Sequence, residues 1–578
     1  MLFFVVIVRN SLLDPFWISS WTSPFPGSVK ASSFFSVLLF LSVLCSFAYG
    51  TQFLGGDDYY FHNARFEALM QGLKDGTFPS YIDYQGLYGY GYLVKTFYSD
   101  FILIPYALLA NLTSKDFAYW FLYFSMTMMC GTFMYIFIRR VYKSAYVASM
   151  SSILYTFCLY RLLDLYYRGA WGEAFSFTFL PIVFLGLFYI IKGDYRKWYV
   201  IAIGFSLMIF THVLSTLLLF ITASIILFVY YRDMIKEPKR IYYLILAGVV
   251  TIVLTSYYLF PFFEQLLSDT FYFQKFKYSP YTTAQSRLDW LTILRGSVEG
   301  FTLGQKSTGI GLLLLAPLCL RFFVRGNKEQ KKYIRSIDIG VLIGLFYIVL
   351  KSTLTPWTRF PLSYLSLIQF PWRLYEFVVF FFSVAGAYYI YLLCKKRNIQ
   401  LAAFLLLVVL TSVVIVIDAS TYKEIKVEAR LSDKDYLNET THYTMAGMEY
   451  YPSRMPYPDP FILQRGDSVA SQLKEIEVYN FERFDYITRF DIKTNVKDSI
   501  GLPLIYYKGY VASLDGVSIP VTESSQGLVQ IPIDRSGRVE AYYKGTLVQK
   551  LSFYITILSI FVLCSYIFLQ RRKDKHFK

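Results

Sequence analysis

Long apolar segments constrain the fold of this chain more than any other feature. Runs of about 18 or more mostly apolar residues, the length at which an α-helix crosses a membrane, recur along most of its 578 residues. Hydrophobic residues make up 55% of the chain and charged residues only 17%. The sequence therefore predicts an all-α polytopic membrane protein with about twelve transmembrane helices. These are expected near residues 33–50, 117–138, 144–163, 174–192, 198–212, 213–231, 241–262, 308–324, 338–350, 374–393, 400–418 and 550–569.

The basic residues predict how these helices are oriented. The net charge is +16, but the bases fall in alternate short loops, as the positive-inside rule requires of cytoplasmic loops. The basic stretches are residues 139–143, 192–197, 232–240, 325–335, 395–397 and 571–575. The charge therefore indicates topology, and we expect no nucleic-acid partner. The prediction is a multi-pass protein of the cell membrane with both termini in the cytoplasm.

The chain divides into three predicted parts. Residues 1–418 form a transmembrane module with an outer loop at 51–116, residues 419–549 form an extracytoplasmic β-rich domain, and residues 550–578 form the last transmembrane helix and a basic cytoplasmic tail. Alternation of apolar and polar residues, with turn signals between, predicts short strands in the second part. We expect a small β-sandwich with strands near 486–492, 504–513, 517–521, 528–533 and 539–543.

An acid pair follows the first apolar segment. Asp57 and Asp58 lie a few residues beyond it, and His62 and Arg65 come within the next seven positions. Charged groups beside a membrane are costly unless they pair, bind a charged molecule or do chemistry. Because Arg65 is the only basic side chain close in sequence, the pair is a candidate functional site.

A second polar cluster lies between the third and fourth predicted spans, where Arg161, Asp164, Arg168 and Glu173 occur together. Local pairing of Arg161 with Asp164, and of Arg168 with Glu173, would neutralise all four charges. In the alternative interpretation Arg168 binds a phosphate, because a guanidinium presents forked donors to phosphate oxygens.

Two further candidates occur at other span ends. His212 lies between two short apolar segments, and Gln369 and Arg373 precede the tenth predicted span. Each also has a simpler interpretation, as a hydrogen-bonded packing histidine and as a membrane-boundary anchor. The predicted topology puts all of these polar clusters on the outer side, although their positions were not used to derive it. That coincidence favours a shared site.

The layout resembles that of the C-type (GT-C) glycosyltransferases, which use polyprenyl-phosphate-linked sugars. Several motifs look more closely like a set of bacterial membrane proteins often labelled 6-pyruvoyl-tetrahydropterin synthase-related. The motifs are Gly56-Asp57-Asp58-Tyr59-x-x-His62-x-x-Arg65, Tyr167-Arg168-Gly169-Ala170-x-Gly172-Glu173, Thr211-His212, Gln369-Phe370-Pro371-Trp372-Arg373 and Tyr506-Tyr507-Lys508-Gly509-Tyr510. The pterin label itself would call for a soluble enzyme with a three-histidine metal site, and the four histidines here are scattered.

The resemblance implies a mechanism. Asp57 or Asp58 would be the general base that activates an acceptor hydroxyl for attack on the anomeric carbon, with inversion. Cations would stabilise the polyprenyl phosphate as it leaves. The candidate substrate-binding residues are His62, Arg65, Arg168, Glu173, His212, Gln369 and Arg373. Some relatives hold a divalent ion with acids of this loop, so Asp57 and Asp58 are also candidate ligands for Mg²⁺ or Mn²⁺.

The implied partners are a lipid-linked sugar donor, a cell-surface glycopolymer or glycoprotein acceptor, and membrane lipids. Two other classes stay open at this point. One is a transporter or flippase of lipid-linked sugars, which also fits about twelve spans. The other is a non-catalytic cell-envelope assembly protein on the outer face.

Overall fold

The computed structural model describes residues 31–48, 58–275, 280–293, 309–432, 448–456, 458–470, 476–484 and 486–576. These residues are mainly helical. The α-helices are α1 (Ala31–Ala48), α2 (Tyr59–Lys74), α3 (Val94–Phe97), α4 (Ile104–Leu112), α5 (Lys115–Tyr142), α6 (Ala145–Thr156), α7 (Leu159–Leu163), α8 (Trp171–Ile191), α9 (Tyr199–Ile209), α10 (Val213–Val229), α11 (Tyr231–Lys236), α12 (Lys239–Leu254), α13 (Ser256–Ser268), α14 (Tyr272–Lys275), α15 (Pro280–Gln285), α16 (Leu312–Cys319), α17 (Lys328–Lys351), α18 (Tyr375–Leu393), α19 (Arg397–Ser432), α20 (Pro458–Arg465) and α21 (Leu547–His576).

Within the described ranges, six helical segments are long and apolar enough to cross a membrane. They are Lys115–Tyr142, Trp171–Ile191, Lys328–Lys351, Pro371–Leu393, Arg397–Glu424 and Leu547–Gln570. Helices α12 and α13 reach the same criterion only together, and they are bent by 73° at the break between them. The chain is therefore a membrane protein by the length and composition of its helices.

The predicted number of twelve is not confirmed. Several predicted spans are divided into pieces shorter than the roughly 20 residues that a crossing needs. The segment predicted at 144–163 is α6 and α7, and the one at 308–324 contains the eight-residue helix α16. The pair predicted at 198–231 is α9 and α10, separated at His212. Polar groups and turns at these breaks interrupt the helical hydrogen bonding, which the mean hydropathy of a segment does not reveal.

The basic loops gather at one end of the helical bundle. Nε2 of Gln570 donates to the carbonyl of Arg196 at 3.3 Å, and Nη1 of Arg240 donates to the carbonyl of Gly193 at 3.1 Å. The basic stretches at 192–197 and 232–240 and the one that begins at 571 therefore lie together. We call this end of the bundle the basic end. Helix α8 leads away from it, and its 21 residues extend about 30 Å, close to the thickness of a hydrocarbon core.

Helix α8 is the most buried of the candidate spans, with 89% of its apolar window inside the structure. It packs against α9 through two glycines. A Cβ atom on Gly186 would lie 2.5 Å from Cα of Ile201, and one on Gly204 would lie 2.8 Å from Cγ2 of Val183. Small residues at such crossings let helix backbones approach closely in a membrane, where no hydrophobic driving force brings helices together.

The chain after α20 forms two antiparallel sheets. The strands are β1 (Glu477–Phe484), β2 (Ile487–Lys493), β3 (Asp498–Ile505), β4 (Tyr510–Leu514), β5 (Val517–Ile519), β6 (Thr522–Glu523), β7 (Leu528–Ile533) and β8 (Gly537–Tyr543). One sheet has the order β1-β2-β8-β4-β5 and the other β3-β7-β6. Apolar residues from both sheets, among them Phe490 and Ile531, share one buried cluster. We call residues 476–543 the β region.

Most of the predicted strands are present in the β region, with one correction. The strand predicted at 504–513 is two strands, β3 and β4, because the chain turns at Lys508 and Gly509 between them. Strands β1 and β6 were not predicted. Helix α19 contains the segment predicted at 400–418 and continues to Ser432.

The β region packs against the loop that follows α2. The amide of Ile505 donates to the carbonyl of Tyr90 at 2.9 Å, and both residues belong to a buried cluster that also contains Leu93 and Tyr507. Nε2 of Gln265, near the end of α13, donates to the carbonyl of Lys508 at 2.7 Å. The β region is thus fixed to the helices at the end of the bundle where α2 begins.

The α8–α9 crossing gives a test of this packing. We expect Gly186→Ala to lower the free energy of unfolding by about 1–3 kcal/mol, because the added methyl group meets the backbone of α9. Gly248→Ala in α12 is the matched control, since nothing lies within 4 Å of a Cβ atom there and alanine favours the helix. Thermal unfolding in detergent measures both. Equal midpoints for the two variants would contradict the close packing.

Candidate functional site

The predicted site residues come together where four helices begin. Asp58 immediately precedes α2, Glu173 is in the first turn of α8, and His212 immediately precedes α10. Arg373 lies in a 3₁₀ turn that leads into α18. These helix starts are distant in sequence. The basic end lies at the last residues of α8, so the first residues of α8, and the site, lie at the opposite end of that helix.

The guanidinium of Arg168 lies at the centre of the site. Its Nη1 atom donates to Oδ1 of Asp164 at 2.7 Å and to Oε2 of Glu173 at 2.8 Å. Its Nη2 atom donates to Oδ2 of Asp58 at 3.0 Å. Asp164, Arg168 and Glu173 have buried side chains, whereas 39% of the Asp58 side chain is exposed. Of these three carboxylates, Asp58 alone is accessible to an incoming molecule.

A π-helical turn positions Arg168. The turn spans Asp164–Arg168 and ends at Gly169, whose φ of +64° is a left-handed value that glycine adopts at little cost. The amide of Asp58 donates to the carbonyl of Arg168 at 2.9 Å, which joins the loop before α2 to this turn. A Cβ atom on Gly169 would lie 3.0 Å from Cβ of Tyr59. Wide turns of this kind are common at functional sites.

The local pairing expected from the sequence is half present. Arg168 pairs with Glu173, but Arg161 donates to the carbonyl of Thr156 at 2.9 Å and does not pair with Asp164. Asp164 instead shares Nη1 of Arg168, because the turn brings the ends of its five residues together. The sequence interpretation assigned Asp164 to Arg161 and did not include it among the site residues.

Glu173 links Arg168 to a second arginine. Its Oε2 atom lies 3.6 Å from Nε of Arg373, and its Oε1 atom accepts from the hydroxyl of Tyr160. Nη1 of Arg373 donates to Oε1 of Gln369 at 2.7 Å. Gln369 has a φ of +64°, an uncommon conformation for a residue with a side chain. Backbone strain of this kind concentrates at functional sites. We call Asp58, Asp164, Arg168, Glu173 and Arg373 the Arg168 cluster.

The charges of the Arg168 cluster are nearly balanced. Burial and the neighbouring negative charge of Glu173 raise the pKa of Asp164 well above its ordinary value. Three carboxylates, Asp58, Asp164 and Glu173, face the two guanidinium groups of Arg168 and Arg373, so each buried charge has a partner. Among the described residues Arg373 donates hydrogen bonds only through Nη1, to the carbonyl of Ile368 and to Gln369, while its Nε faces Glu173. Arg373 therefore has donor capacity left for another anion.

His212 caps the next helix of the site. Nδ1 of His212 lies 2.8 Å from Oγ of Ser215 and 3.3 Å from the amide nitrogen of the same residue, so the imidazole caps the first turn of α10. The loop of His212 lies against the start of α8, since a Cβ atom on Gly172 would be 3.1 Å from the carbonyl of Thr211. That same Cβ would meet the hydroxyl of Tyr98, whose ring centroid is 6.3 Å from that of His212.

His62 and Arg65 adjoin the site but are held by protein groups. Nη2 of Arg65 pairs with Oδ1 of Asp100 at 2.6 Å, and its Nη1 lies 3.0 Å from Nδ1 of His62. The His62 ring stacks on Trp171 with centroids 5.6 Å apart, and the Arg65 guanidinium lies 4.0 Å from the centre of the Tyr98 ring. His62 and Arg65 therefore position Tyr98 and the start of α8.

Two other neighbours of the site were not identified from the sequence. Tyr98 gave no signal in a chain with 53 tyrosines. Glu449 comes from the segment before the β region, where Tyr450 stacks on Phe97 at 4.8 Å. Burial, and the nearby Asp58, raise the pKa of Glu449. The only sequence signal for Glu449 was that it is an acidic residue in a stretch rich in proline and tyrosine. The segment that precedes the β region therefore reaches the edge of the Arg168 cluster.

The described carboxylates alone give no support to a divalent-metal site. No group of three His, Cys, Asp or Glu side chains in the described part of the chain is arranged to hold an ion. The three carboxylates that do converge, Asp58, Asp164 and Glu173, already surround the Arg168 guanidinium. Asp57, the other predicted ligand and candidate base, lies outside the described residues.

Comparison with known proteins adds no assignment. No protein-family model matches the chain, and no curated protein matches it. The interpretation of the site therefore depends on its geometry.

The buried imidazole of His62 gives a pH-dependence test. Burial lowers its pKa well below 6.5, and the Arg65 cation adds to this effect. Below about pH 6.5 the unfolded chain binds a proton here that the folded chain does not, so stability falls as the pH falls. We expect this group to contribute a slope of up to about 1.4 kcal/mol per pH unit.

His62→Gln removes this contribution while keeping an acceptor for Arg65. Unfolding midpoints in detergent, followed from neutral to mildly acidic pH, should fall less steeply for the variant than for the unmodified protein. Identical slopes for the variant and the unmodified protein would show that His62 takes up a proton as readily in the folded chain as in the unfolded chain, which would contradict its burial.

Proposed function

We propose that the chain is a membrane glycosyltransferase that moves a sugar from a polyprenyl-phosphate donor to an extracytoplasmic cell-surface acceptor, with inversion. One observation carries the proposal. A partly exposed carboxylate, Asp58, contacts a buried guanidinium, Arg168, which Glu173 links to a second arginine with donor capacity left. Such a site pairs an accessible base with cations for an anionic leaving group.

The proposed orientation follows from the basic end. Basic loops favour the cytoplasmic side, so we infer that the basic end and both termini are cytoplasmic. The Arg168 cluster, at the other end of α8, then faces outside, where lipid-linked sugars are presented and no nucleotide sugar is available. The β region lies on the same side as the cluster.

The finer architecture belongs to the same proposal. We infer a GT-C-like transmembrane module of about twelve crossings, in which the shorter apolar helices and the bent pair α12–α13 complete the six long spans. We also infer that the two sheets form a β-sandwich, which their shared apolar cluster supports. The segment at Met448–Tyr450 would then cover the site from the outside.

In the proposed step, Asp58 accepts the proton of an acceptor hydroxyl as that oxygen attacks the anomeric carbon of the donor sugar. The new glycosidic C–O bond forms as the bond between that carbon and the phosphate oxygen breaks. The electron pair of the broken bond stays on the polyprenyl phosphate. Attack from the face opposite the leaving group inverts the anomeric configuration.

Arg373 and His212 are the proposed stabilisers of the leaving phosphate. Arg373 donates hydrogen bonds only through Nη1 among the described residues, and His212 would donate to the phosphate in the tautomer that carries its proton on Nε2. Arg168 has a different role, because its hydrogen bonds go to Asp58, Asp164 and Glu173. It holds the base in place and connects it electrostatically to the phosphate side of the site. Gln369 in turn orients Arg373.

The partners follow from this chemistry. They are a lipid-linked sugar, a cell-surface glycopolymer or glycoprotein acceptor, and membrane lipids. The shape of the sugar pocket determines which donor binds. Assays of membranes with a panel of polyprenyl-phosphate sugars would identify that donor.

The base assignment is tested with Asp58→Asn. The amide cannot accept the proton, so we expect sugar transfer by the purified protein to fall by about 10²–10⁴-fold, with unused donor accumulating. Asp116→Asn is the control, because Asp116 is an exposed acid at the start of α5 outside the Arg168 cluster. Full transfer by Asp58→Asn would overturn the assignment. Donor movement across the membrane without transfer by the unmodified protein would favour a flippase.

The phosphate assignment is tested with Arg373→Gln. We expect kcat to fall by about 10²–10³-fold, because the stabilised charge develops in the transition state. Arg321→Gln is the control. Arg321 also pairs with an acid, Asp338 of α17, but lies outside the Arg168 cluster. An unchanged kcat in Arg373→Gln, with full expression and the usual unfolding midpoint, would remove Arg373 from the mechanism.

A further inference from the structure

A cavity lies outside the Arg168 cluster, between the turn after α2, the β region and the start of α21. Its volume is about 570 Å³, within the range of roughly 300–1,000 Å³ typical of small-molecule sites. The turn contributes Asp75 and Tyr84, the β region contributes Tyr486 and Tyr542, and α21 contributes Tyr554. Three separate parts of the chain thus build one concave surface.

Tyrosine dominates the lining of this cavity, at seven of its positions. Tyr84 meets Tyr486 edge-on with centroids 6.4 Å apart, and Tyr486 meets Tyr542 edge-on at 5.9 Å. Edge-on contacts cover less of each ring face than stacking does. The face of an aromatic ring carries partial negative charge, so it attracts the C–H groups that line the faces of a sugar ring.

The cavity also offers both kinds of hydrogen-bonding group. The Asp75 carboxylate accepts from the hydroxyl of Tyr84 at 2.5 Å, which fixes that ring in place. Arg483 is held by Asp467 at 2.6 Å, while Thr488 and Lys544 add a hydroxyl and an ammonium group to the lining. Sugar hydroxyls both donate and accept, so a mixed lining of this kind suits a carbohydrate better than a hydrocarbon chain.

We propose that this cavity binds a segment of the acceptor glycan, with sugar rings against Tyr84, Tyr486 and Tyr542. The assignment of the glycan as acceptor rests on the proposed transferase function, whereas carbohydrate binding itself does not. Helix α2 sets the spacing, because Asp58 precedes its first residue and Asp75 follows its last. Its 16 residues separate the two sites by roughly 24 Å.

That separation has a consequence for specificity. A single sugar at the Arg168 cluster cannot reach the tyrosine cavity, whereas a polymer can occupy both. The cavity therefore increases the affinity for long acceptors and leaves the chemical step unchanged. A long acceptor binds more tightly because it makes a second contact, which a short acceptor cannot make.

The direct test is binding of glycans to the purified full chain in nanodiscs. The probes are linear oligosaccharides of glucose, galactose and N-acetylglucosamine, each in a short and a long form, immobilised on one surface. We expect a long form to bind and Tyr486→Ala to weaken that binding by roughly tenfold, as loss of one aromatic contact predicts. Tyr486→Phe keeps the ring and should bind normally.

Tyr479→Ala is the matched control, because Tyr479 is an equally exposed tyrosine of the β region that does not line the cavity. Equal binding by Tyr486→Ala and the unmodified protein would overturn the proposal. Failure of all the oligosaccharides to bind, with a short-chain phosphatidylglycerol bound in a Tyr486-dependent way, would assign the cavity to a lipid headgroup and also overturn it.

Kinetics separate this proposal from the function on which it builds. In the transfer assay, Tyr486→Ala should raise KM for a long acceptor by roughly tenfold and leave kcat unchanged. Asp58→Asn should lose transfer and still bind the oligosaccharide. If Asp58→Asn keeps full activity while Tyr486→Ala loses binding, the catalytic assignment fails and the glycan site stands.

Discussion

A buried arginine among three carboxylates is the interaction on which this site depends. Arg168 contacts Asp58, Asp164 and Glu173 within 3.0 Å, and Glu173 continues the contacts to Arg373. Removing one partner of a buried pair leaves an uncompensated charge, which costs about 3–5 kcal/mol. The cluster therefore fixes the starts of α2, α8 and α18 relative to one another. Asp58 is the only described carboxylate of this cluster that stays accessible, so one interaction organises the helix ends and presents the candidate base.

The surrounding fold gives this cluster its low-dielectric environment and its access. Asp164, Arg168 and Glu173 are buried in the protein, and the segment before the β region brings Glu449 to the edge of the cluster. Electrostatic interactions strengthen where water is excluded, so the buried ion pairs of Arg168 with Asp164 and Glu173 are stronger than they would be at an open surface. The tyrosine cavity lies at the far end of α2, and one helix thereby connects a proposed reaction centre to a proposed acceptor site.

The sequence predicted the class of protein and much of the β region, because both depend on local patterns. Apolar run length identified the long spans, and alternation located β2, β7 and β8 within one or two residues. The twelve-span count depended on mean hydropathy, which does not reveal breaks such as the one at His212. Within the site, Arg168 and Glu173 are close in sequence, so their pairing was predictable. The contacts of Asp58 with Arg168 and of Arg373 with Glu173 join distant segments, and local patterns carry no information about them. Tyr98 and Glu449 were missed for the same reason.

The most direct test of the central claim is the location of a bound polyprenyl phosphate. A cryo-electron-microscopy structure of the chain in nanodiscs, with a polyprenyl phosphate added, would provide it. We expect phosphate density within about 3 Å of the donor nitrogens of Arg373 and His212, beside Asp58. Phosphate bound at the basic end of the bundle, or bound without contact to either side chain, would contradict the account.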